Sequence, residues 1–192
     1  GMFRGREQTH LGAIPLLTEA EHHLMLVDWN DTSSKYPRDR CVHQLFEQQV
    51  EQSPGAAAVV YGDEQLTYRE LNARANQLAH YLQGQGIGPD VLVGICMQRS
   101  LEMVVGLLGI LKAGGAYVPL DPDYPIQRLS FMLDDTRTPL LLTQKALKNK
   151  FMEYSNLVVC LDSDWQRIEQ EPSDNPHIQG RCSEVGHHRL QP

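Results

Sequence analysis

Apolar residues in this chain recur at two different periods, and the switching between them outlines alternating helices and strands. After residues 1 to about 14, which carry little periodicity, Thr18-Glu19-Ala20-Glu21 has the form of a capping box opening a helix to about Asp28. Asn30 to Pro37 is polar and turn-rich and is expected to be a linker. Val42 to Gln52 is expected to be a helix with Val42, Leu45, Phe46 and Val50 on one face, ended by Pro54-Gly55. Ala57 to Tyr61 and Glu64 to Thr67, joined by Gly62-Asp63, carry the signal of a β-hairpin. Thr67 can cap the next helix with Glu70 reciprocating. That helix lines up Leu71, Ala75, Leu78, Ala79 and Leu82 before glycines at 84, 86 and 88 end it.

Further along, Val91 to Cys96 is a near-continuous apolar strand, Ser100 to Lys112 an apolar helix and Ala116 to Val118 a strand. A helix from Pro125 to Asp134 has proline in its first turn. Pro139 to Leu142 and Leu157 to Leu161 are expected strands flanking a helix from Gln144 to about Tyr154. Unbroken apolar strands alternating with helices imply an α/β layered sandwich, a mostly parallel sheet covered by helices on both faces. The expected organisation is a connector with one helix over 1–40, an α/β subdomain over 41–165 and a polar, exposed or disordered tail over 166–192.

Composition narrows the partners more than the fold. At 192 residues the chain suits one domain with a real core, and 41% hydrophobic with 21% charged residues is ordinary for a soluble globular protein. A formal net charge of -7 argues against nucleic acid, which requires a basic patch. The most apolar stretch, Leu101 to Leu111, contains Glu102 and has about half the length a bilayer crossing needs, so a buried helix is expected and no membrane association. The basic start Gly1-Met2-Phe3-Arg4-Gly5-Arg6 has no apolar core after it, so it is not a signal peptide, and a cytoplasmic location is expected; its Gly before Met resembles an expression remnant. Cys41, Cys96, Cys160 and Cys182 form no Cys-x-x-Cys pair, which fits reduced thiols, with Cys96 a small core residue.

Two motifs stand out against this background. Leu111-Lys112-Ala113-Gly114-Gly115-Ala116-Tyr117-Val118-Pro119-Leu120-Asp121-Pro122-Asp123-Tyr124-Pro125 combines a helix end, a short strand and a turn stiffened by three prolines. It resembles the second core motif of the adenylation domains of nonribosomal peptide synthetases, within the acyl-adenylate-forming, AMP-binding ligases. Leu66-Thr67-Tyr68-Arg69-Glu70-Leu71 resembles the first core motif, in the family's order and at about its spacing. The similarity runs from about Leu16 to about Pro176, and Asn175-Pro176 resembles the family's lead-in to the strand before its phosphate loop. The resemblance implies the N-terminal subdomain of the adenylate-forming fold. It also implies a parent reaction in which an amino acid and ATP become aminoacyl-AMP and pyrophosphate, before acyl transfer to a carrier protein's phosphopantetheine thiol. ATP and Mg belong to the complete family; none is expected in this chain, because the family's phosphate loop, pocket, hinge and catalytic lysine lie downstream of both motifs.

No residue is therefore assigned a catalytic, cofactor-binding or metal-binding role. Gly114-Gly115 lies at a helix C-terminus, whose dipole repels phosphate, and is expected to be a C-cap. Gly84, Gly86 and Gly88 also end a helix and so fail the dinucleotide pattern. Asp121 and Asp123 have the form of a magnesium pair but also of ordinary turn chemistry, which is the expectation adopted. His22-His23 on a surface helix are expected to be solvated, and His187-His188 with Cys182 to be chance composition. Ser33, Ser34, Ser53, Ser100 and Ser130 lack a Gly-x-Ser-x-Gly elbow, so no hydrolase nucleophile is indicated. Met103, Leu107, Leu108, Ile110 and Leu111 are expected in the core, and Lys112 is expected to complement the helix dipole.

The abrupt loss of pattern after Pro176 suggests an early stop or frame change in an ancestral synthetase gene. A fragment probed alone is then expected to be inactive and to self-associate as a homo-oligomer through apolar surface left uncovered. The alternative is a non-enzymatic interaction module that pairs with a synthetase or carrier protein.

Overall fold

Local caps start the helices of this protein, and the pleat of one parallel sheet sorts its core into two halves. The computed structural model describes residues 17–32 and 40–177. The chain divides into two units, residues 1–37 and 38–192.

In the first unit α1 spans Glu19–Leu26. Thr18 Oγ1 accepts from Glu21 N at 3.2 Å and Glu21 Oε2 accepts from Thr18 N at 2.8 Å, which is the expected capping box. The helix ends two residues earlier than the periodicity suggests, in a 3₁₀ turn over Asp28–Asn30 where Asn30 Nδ2 donates to Met25 O at 2.7 Å. Of the expected linker, residues 33–37 lie outside the described residues.

The second unit opens with α2 (Val42–Gln52), the expected span but a different buried face. Val42 and Leu45 are exposed while His43 is only 4% exposed, with Phe46 and Val50 half-buried beside it. The helix has turned its polar His43–Glu47 edge inward, for a reason that lies on another helix. The hairpin of β1 (Ala57–Tyr61) and β2 (Glu64–Thr67) is antiparallel and turns at Gly62, whose φ of 60° lies in the left-handed region that favours glycine. β2 runs straight into α3 (Tyr68–Gly84), where Thr67 and Glu70 cap reciprocally as expected. Leu71, Ala75, Leu78, Ala79 and Leu82 are all buried on one stripe.

β3 (Leu92–Cys96) pairs in parallel with β4 (Ala116–Pro119) on one side and β5 (Leu140–Thr143) on the other, and β5 pairs in parallel with β6 (Leu157–Cys160). The strand order is β4-β3-β5-β6, connected through α4 (Leu101–Ala113), α5 (Ile126–Thr136) and a 3₁₀ segment over Lys145–Phe151. Alternate side chains leave the sheet on opposite faces. Val93, Ile95, Leu140, Leu142 and Val159 join α3 and α4 in one cluster. Cys96 and Leu141 join Leu129 and Leu133 of α5 and Leu147 and Phe151 of the 3₁₀ segment in the other. This is the expected α/β sandwich with a parallel sheet covered on both faces. Gly94 in β3 permits the close layering, because a Cβ there would stand 3.0 Å from both Leu133 Cδ2 and Leu141 Cδ1.

Two segments depart from expectation. Lys145–Phe151 is 3₁₀ rather than α, in a stretch that carries Lys145, Lys148 and Lys150 and buries only Leu147 and Phe151. Beyond α6 (Trp165–Ile168), Glu169 to His177 is mostly exposed, as its composition implies, yet it is strapped to α3. Asn76 Nδ2 donates to Ser173 O at 2.7 Å, Gln77 Nε2 to Glu169 O at 2.9 Å and Gln83 Nε2 to His177 O at 3.4 Å, and His80 Nε2 is 3.0 Å from Asp174 O. Polarity alone does not separate a strap from a tail, since these bonds come from side chains nearly a hundred residues earlier.

Candidate functional site

The most concentrated polar chemistry among the described residues sits where α2, α3, α4 and the strap meet. α4 buries Leu101, Val105, Gly109, Ile110 and Ala113, and the helical period places Lys112 with them. Its side chain is 0% exposed and forms an ion pair and hydrogen bond with Glu47 of α2. Lys112 Nζ also donates to Asn175 Oδ1 of the strap at 3.3 Å. Lys112 stands in the last turn of α4, where the sequence expectation puts a partner of the helix dipole, and it is also fully buried. It is a buried cation paired with Glu47, and His43 stands four residues before Glu47 on the same inward face of α2.

Burial pushes the Lys112 ammonium below its usual range, and the hydrogen bond and charge of Glu47 oppose that shift. Burial likewise pushes His43 down, against the pull of Glu47 and with help from the charge of Lys112. His43 therefore takes up its proton in the folded chain at a pH below the ordinary 6.5 of the unfolded chain. Below that pH the unfolded state binds a proton that the folded state refuses, so stability falls as pH drops. Thermal melts from pH 7.5 downward are expected to show this acid limb in the wild type and a shallower one in His43→Gln; parallel limbs would remove His43 as its cause.

The remaining candidates resolve into structure. Gly114 caps α4 in the left-handed region at φ 92°. A Cβ on Gly115 would stand 2.9 Å from Ile87 Cγ2 and 3.1 Å from Val91 O, so this pair serves a helix end and a close backbone approach. Asp121 Oδ1 accepts from Asp123 N at 2.9 Å, so the first carboxylate is engaged in its own turn. Among the described residues no group of three His, Cys, Asp or Glu is placed to hold a metal. Neither feature fits an ATP-Mg group: the glycines stand at the negative end of α4 and the aspartates shape a turn.

His22 and His23 are exposed, His23 lying 3.5 Å from Asp28 Oδ1. His187, His188, Cys182, Ser33 and Ser34 lie outside the described residues. Ser100 Oγ caps α4 by accepting from Met103 N at 3.2 Å, Ser53 Oγ donates to Gln49 O at 3.3 Å, and Ser130 is exposed. Cys96 is fully buried, and the same burial raises its thiol to about 11, an inert core group. Ile110 is fully buried, with Met103, Leu107 and Leu108 packed against the same core. An open depression of about 560 Å³ lies between α5 and the 3₁₀ segment, lined by Ile126, Leu133, Asn149, Lys150 and Tyr154 among others. No helix among the described residues is long and apolar enough to cross a membrane.

Sequence reasoning missed the buried cation, although its signal was present: Lys112 stands seven residues after Val105 and three after Gly109, on the stripe that turns inward.

Known proteins resemble this chain in sequence and in fold. The sequence pattern of the family described as AMP-binding enzyme matches residues 46–187. One component of the linear gramicidin synthase of Brevibacillus parabrevis is 53% identical over 165 residues, which is 86% of this chain and 3% of that protein. Gramicidin S synthase 2 of Brevibacillus brevis is 50% identical over 149 residues, 78% of this chain and 3% of that protein. The chain thus spans only a few hundredths of the length of these relatives. Among solved structures, the nonribosomal peptide synthetase FmoA3 (S1046A) superposes with a TM-score of 0.73 at 29% identity, covering 82% of this chain and 16% of that one. O-succinylbenzoate coenzyme A synthetase from Bacillus subtilis, solved with AMP, shares the fold with a TM-score of 0.60 at 22% identity, covering 70% and 34%. The chain belongs to the AMP-binding enzyme family, and within it resembles the N-terminal part of the amino-acid adenylation domain of nonribosomal peptide synthetases.

Proposed function

We propose that this chain is the scaffold portion of an amino-acid-activating adenylation domain, in a complete protein that converts an amino acid and ATP into aminoacyl-AMP and pyrophosphate in the cytoplasm. The identity of 53% to a linear gramicidin synthase carries this reading, because it spans most of the second unit, where both motifs fold as structural elements. The first motif is a strand end and a helix cap; the second is a helix end, a C-cap and a sheet strand. ATP, Mg²⁺ and amino-acid contacts then lie outside the described residues, and the chain alone does not activate an amino acid.

The test is amino-acid-dependent ATP/pyrophosphate exchange on the purified chain with a pool of amino acids. No exchange is expected from the chain alone. Exchange is expected once it replaces the equivalent segment of a gramicidin synthase adenylation domain. Robust exchange by the chain alone overturns the scaffold assignment, and a folded but inactive chimera overturns the assignment to this reaction.

Apolar side chains support a second component of the proposal, that the chain self-associates when no larger partner covers it. Phe131 is 67% exposed, Val60 63% and Met152 80%, all within the second unit. Light scattering at increasing concentration is expected to give a mass above 21.7 kDa; a constant monomer mass counts against it. A synthetase or carrier protein is the partner that would compete for those surfaces.

A further inference from the structure

The buried Lys112 does more than neutralise Glu47. Its ammonium carries only donors, so the Asn175 atom that faces it at 3.3 Å is the side-chain oxygen. That one oxygen also accepts from Asn72 Nδ2 at 3.2 Å and from Asn76 Nδ2 at 3.0 Å. Both α3 amides are thereby oriented nitrogen-first toward the strap, and Asn76 Nδ2 goes on to hold the Ser173 carbonyl at 2.7 Å. The same orientation leaves Asn72 Oδ1 and Asn76 Oδ1 buried without a hydrogen-bond partner. Two orphaned acceptors are a cost that this arrangement carries. The Ser173 carbonyl holds the Asn76 amide nitrogen-first directly, and the ammonium, by fixing Asn175 Oδ1 as an acceptor, favours the same orientation for Asn72 and Asn76.

The order of dependence runs from Glu47 of α2, which holds the cation, through Lys112 of α4 and Asn175 to the amides of α3. The other strap bonds from α3, through Gln77, His80 and Gln83, reach only main-chain oxygens and so read no strap side chain. Asn175 is the one strap residue whose side chain is read by the helices, so register depends on it.

We propose that Lys112 is a positioning residue: its buried ammonium fixes Asn175 and, through Asn72 and Asn76, the register of the strap along α3 up to His177. The contacts stand by themselves; what the strap leads to rests on the adenylation-domain reading, in which Asn175-Pro176 resembles the lead-in to the strand before the phosphate loop. On that basis the lysine of the second motif acts on the active site at a distance, by setting where the chain following the strap begins.

The test uses the whole chain and two readouts: side-chain amide NMR resonances of Asn72 and Asn76, and cleavage within residues 169–177 by a non-specific protease, mapped by mass spectrometry. In Lys112→Met/Glu47→Leu, which removes both charges together, the two amide pairs are expected to lose their distinct protected resonances. Strap cleavage is expected to rise about tenfold or more, as for loss of a charge-assisted hydrogen bond. Asn175→Asp, which keeps oxygens facing the ammonium and both amides, is expected to retain wild-type protection, whereas Asn175→Ala is expected to behave like the double variant. Wild-type amide resonances and cleavage in either the double variant or Asn175→Ala overturn the proposal, as does an Asn175→Asp strap as loose as Asn175→Ala. Because neither readout involves nucleotide or amino acid, the geometric proposal can fail while the activity assignment stands, and the reverse.

Discussion

Gly109→Val is expected to destabilise the second unit by about 3 kcal/mol or more, the upper range for overpacking a filled core. α3 and α4 pack closely here. A Cβ on Gly109 would lie 2.6 Å from Leu78 Cδ2, 2.8 Å from its Cγ and 3.0 Å from its Cβ. A flexible tip could swing aside, but Leu78 is fully buried, and its Cγ and Cβ move only with the backbone of α3. For a chain of this size the loss corresponds to a drop of roughly 6–12 °C in melting temperature. Gly84→Ala is the matched control, at the last residue of α3 where a Cβ meets nothing within 4 Å. It is expected to be neutral or stabilising by up to about 1 kcal/mol. Adding Leu78→Ala to Gly109→Val should recover part of the loss, since the new methyls would occupy the space vacated. Wild-type melting of Gly109→Val would mean that the two helices are not packed as described.

The Lys112–Glu47 pair is expected to show the asymmetry of buried charges. Lys112→Met alone should cost about 3 kcal/mol, because it strands the Glu47 carboxylate, whose side chain is only 22% exposed, against an apolar surface. Glu47→Leu alone strands the fully buried ammonium and should cost more, toward about 5 kcal/mol. The double substitution is expected to return to within about 1 kcal/mol of the wild type, since a buried ion pair and an apolar pair of similar volume are often equivalent in stability. Denaturant melts of the four proteins close this cycle. Additive losses in the double variant would show that the pair is not coupled. Stability near that of the wild type with a loosened strap would separate the two roles of Lys112: little net stabilisation, and control of register.

Much of the architecture was legible along the chain because its signals are local. The Thr18–Glu21 and Thr67–Glu70 boxes, the Ser100 cap and the left-handed Gly114 each involve residues within a turn of one another, and each marks a helix end. β3, β5 and β6 were visible as short apolar runs because both faces of the sheet are covered. Expectation failed where a distant residue decided the outcome. The pattern puts Val42 and Leu45 on the buried face of α2, yet Glu47 pairs with the cation on α4 and His43 is buried on the same edge. The 169–177 segment has a tail's composition, yet α3 supplies donors for its carbonyls.

By itself, the sequence determined the alternation of elements, their caps, the layered α/β class and the two motifs that mark the family, since each rests on residue types at short fixed spacings. Only the tertiary structure decided which charges are buried and what they hold. Whether a lysine at the end of an apolar helix reaches water or a carboxylate depends on what packs against it, and Glu47 and Asn175 approach Lys112 from sixty-five and sixty-three residues away. The physical reason is that burial of a charge is a property of all the elements enclosing it, and no local period or cap encodes that enclosure.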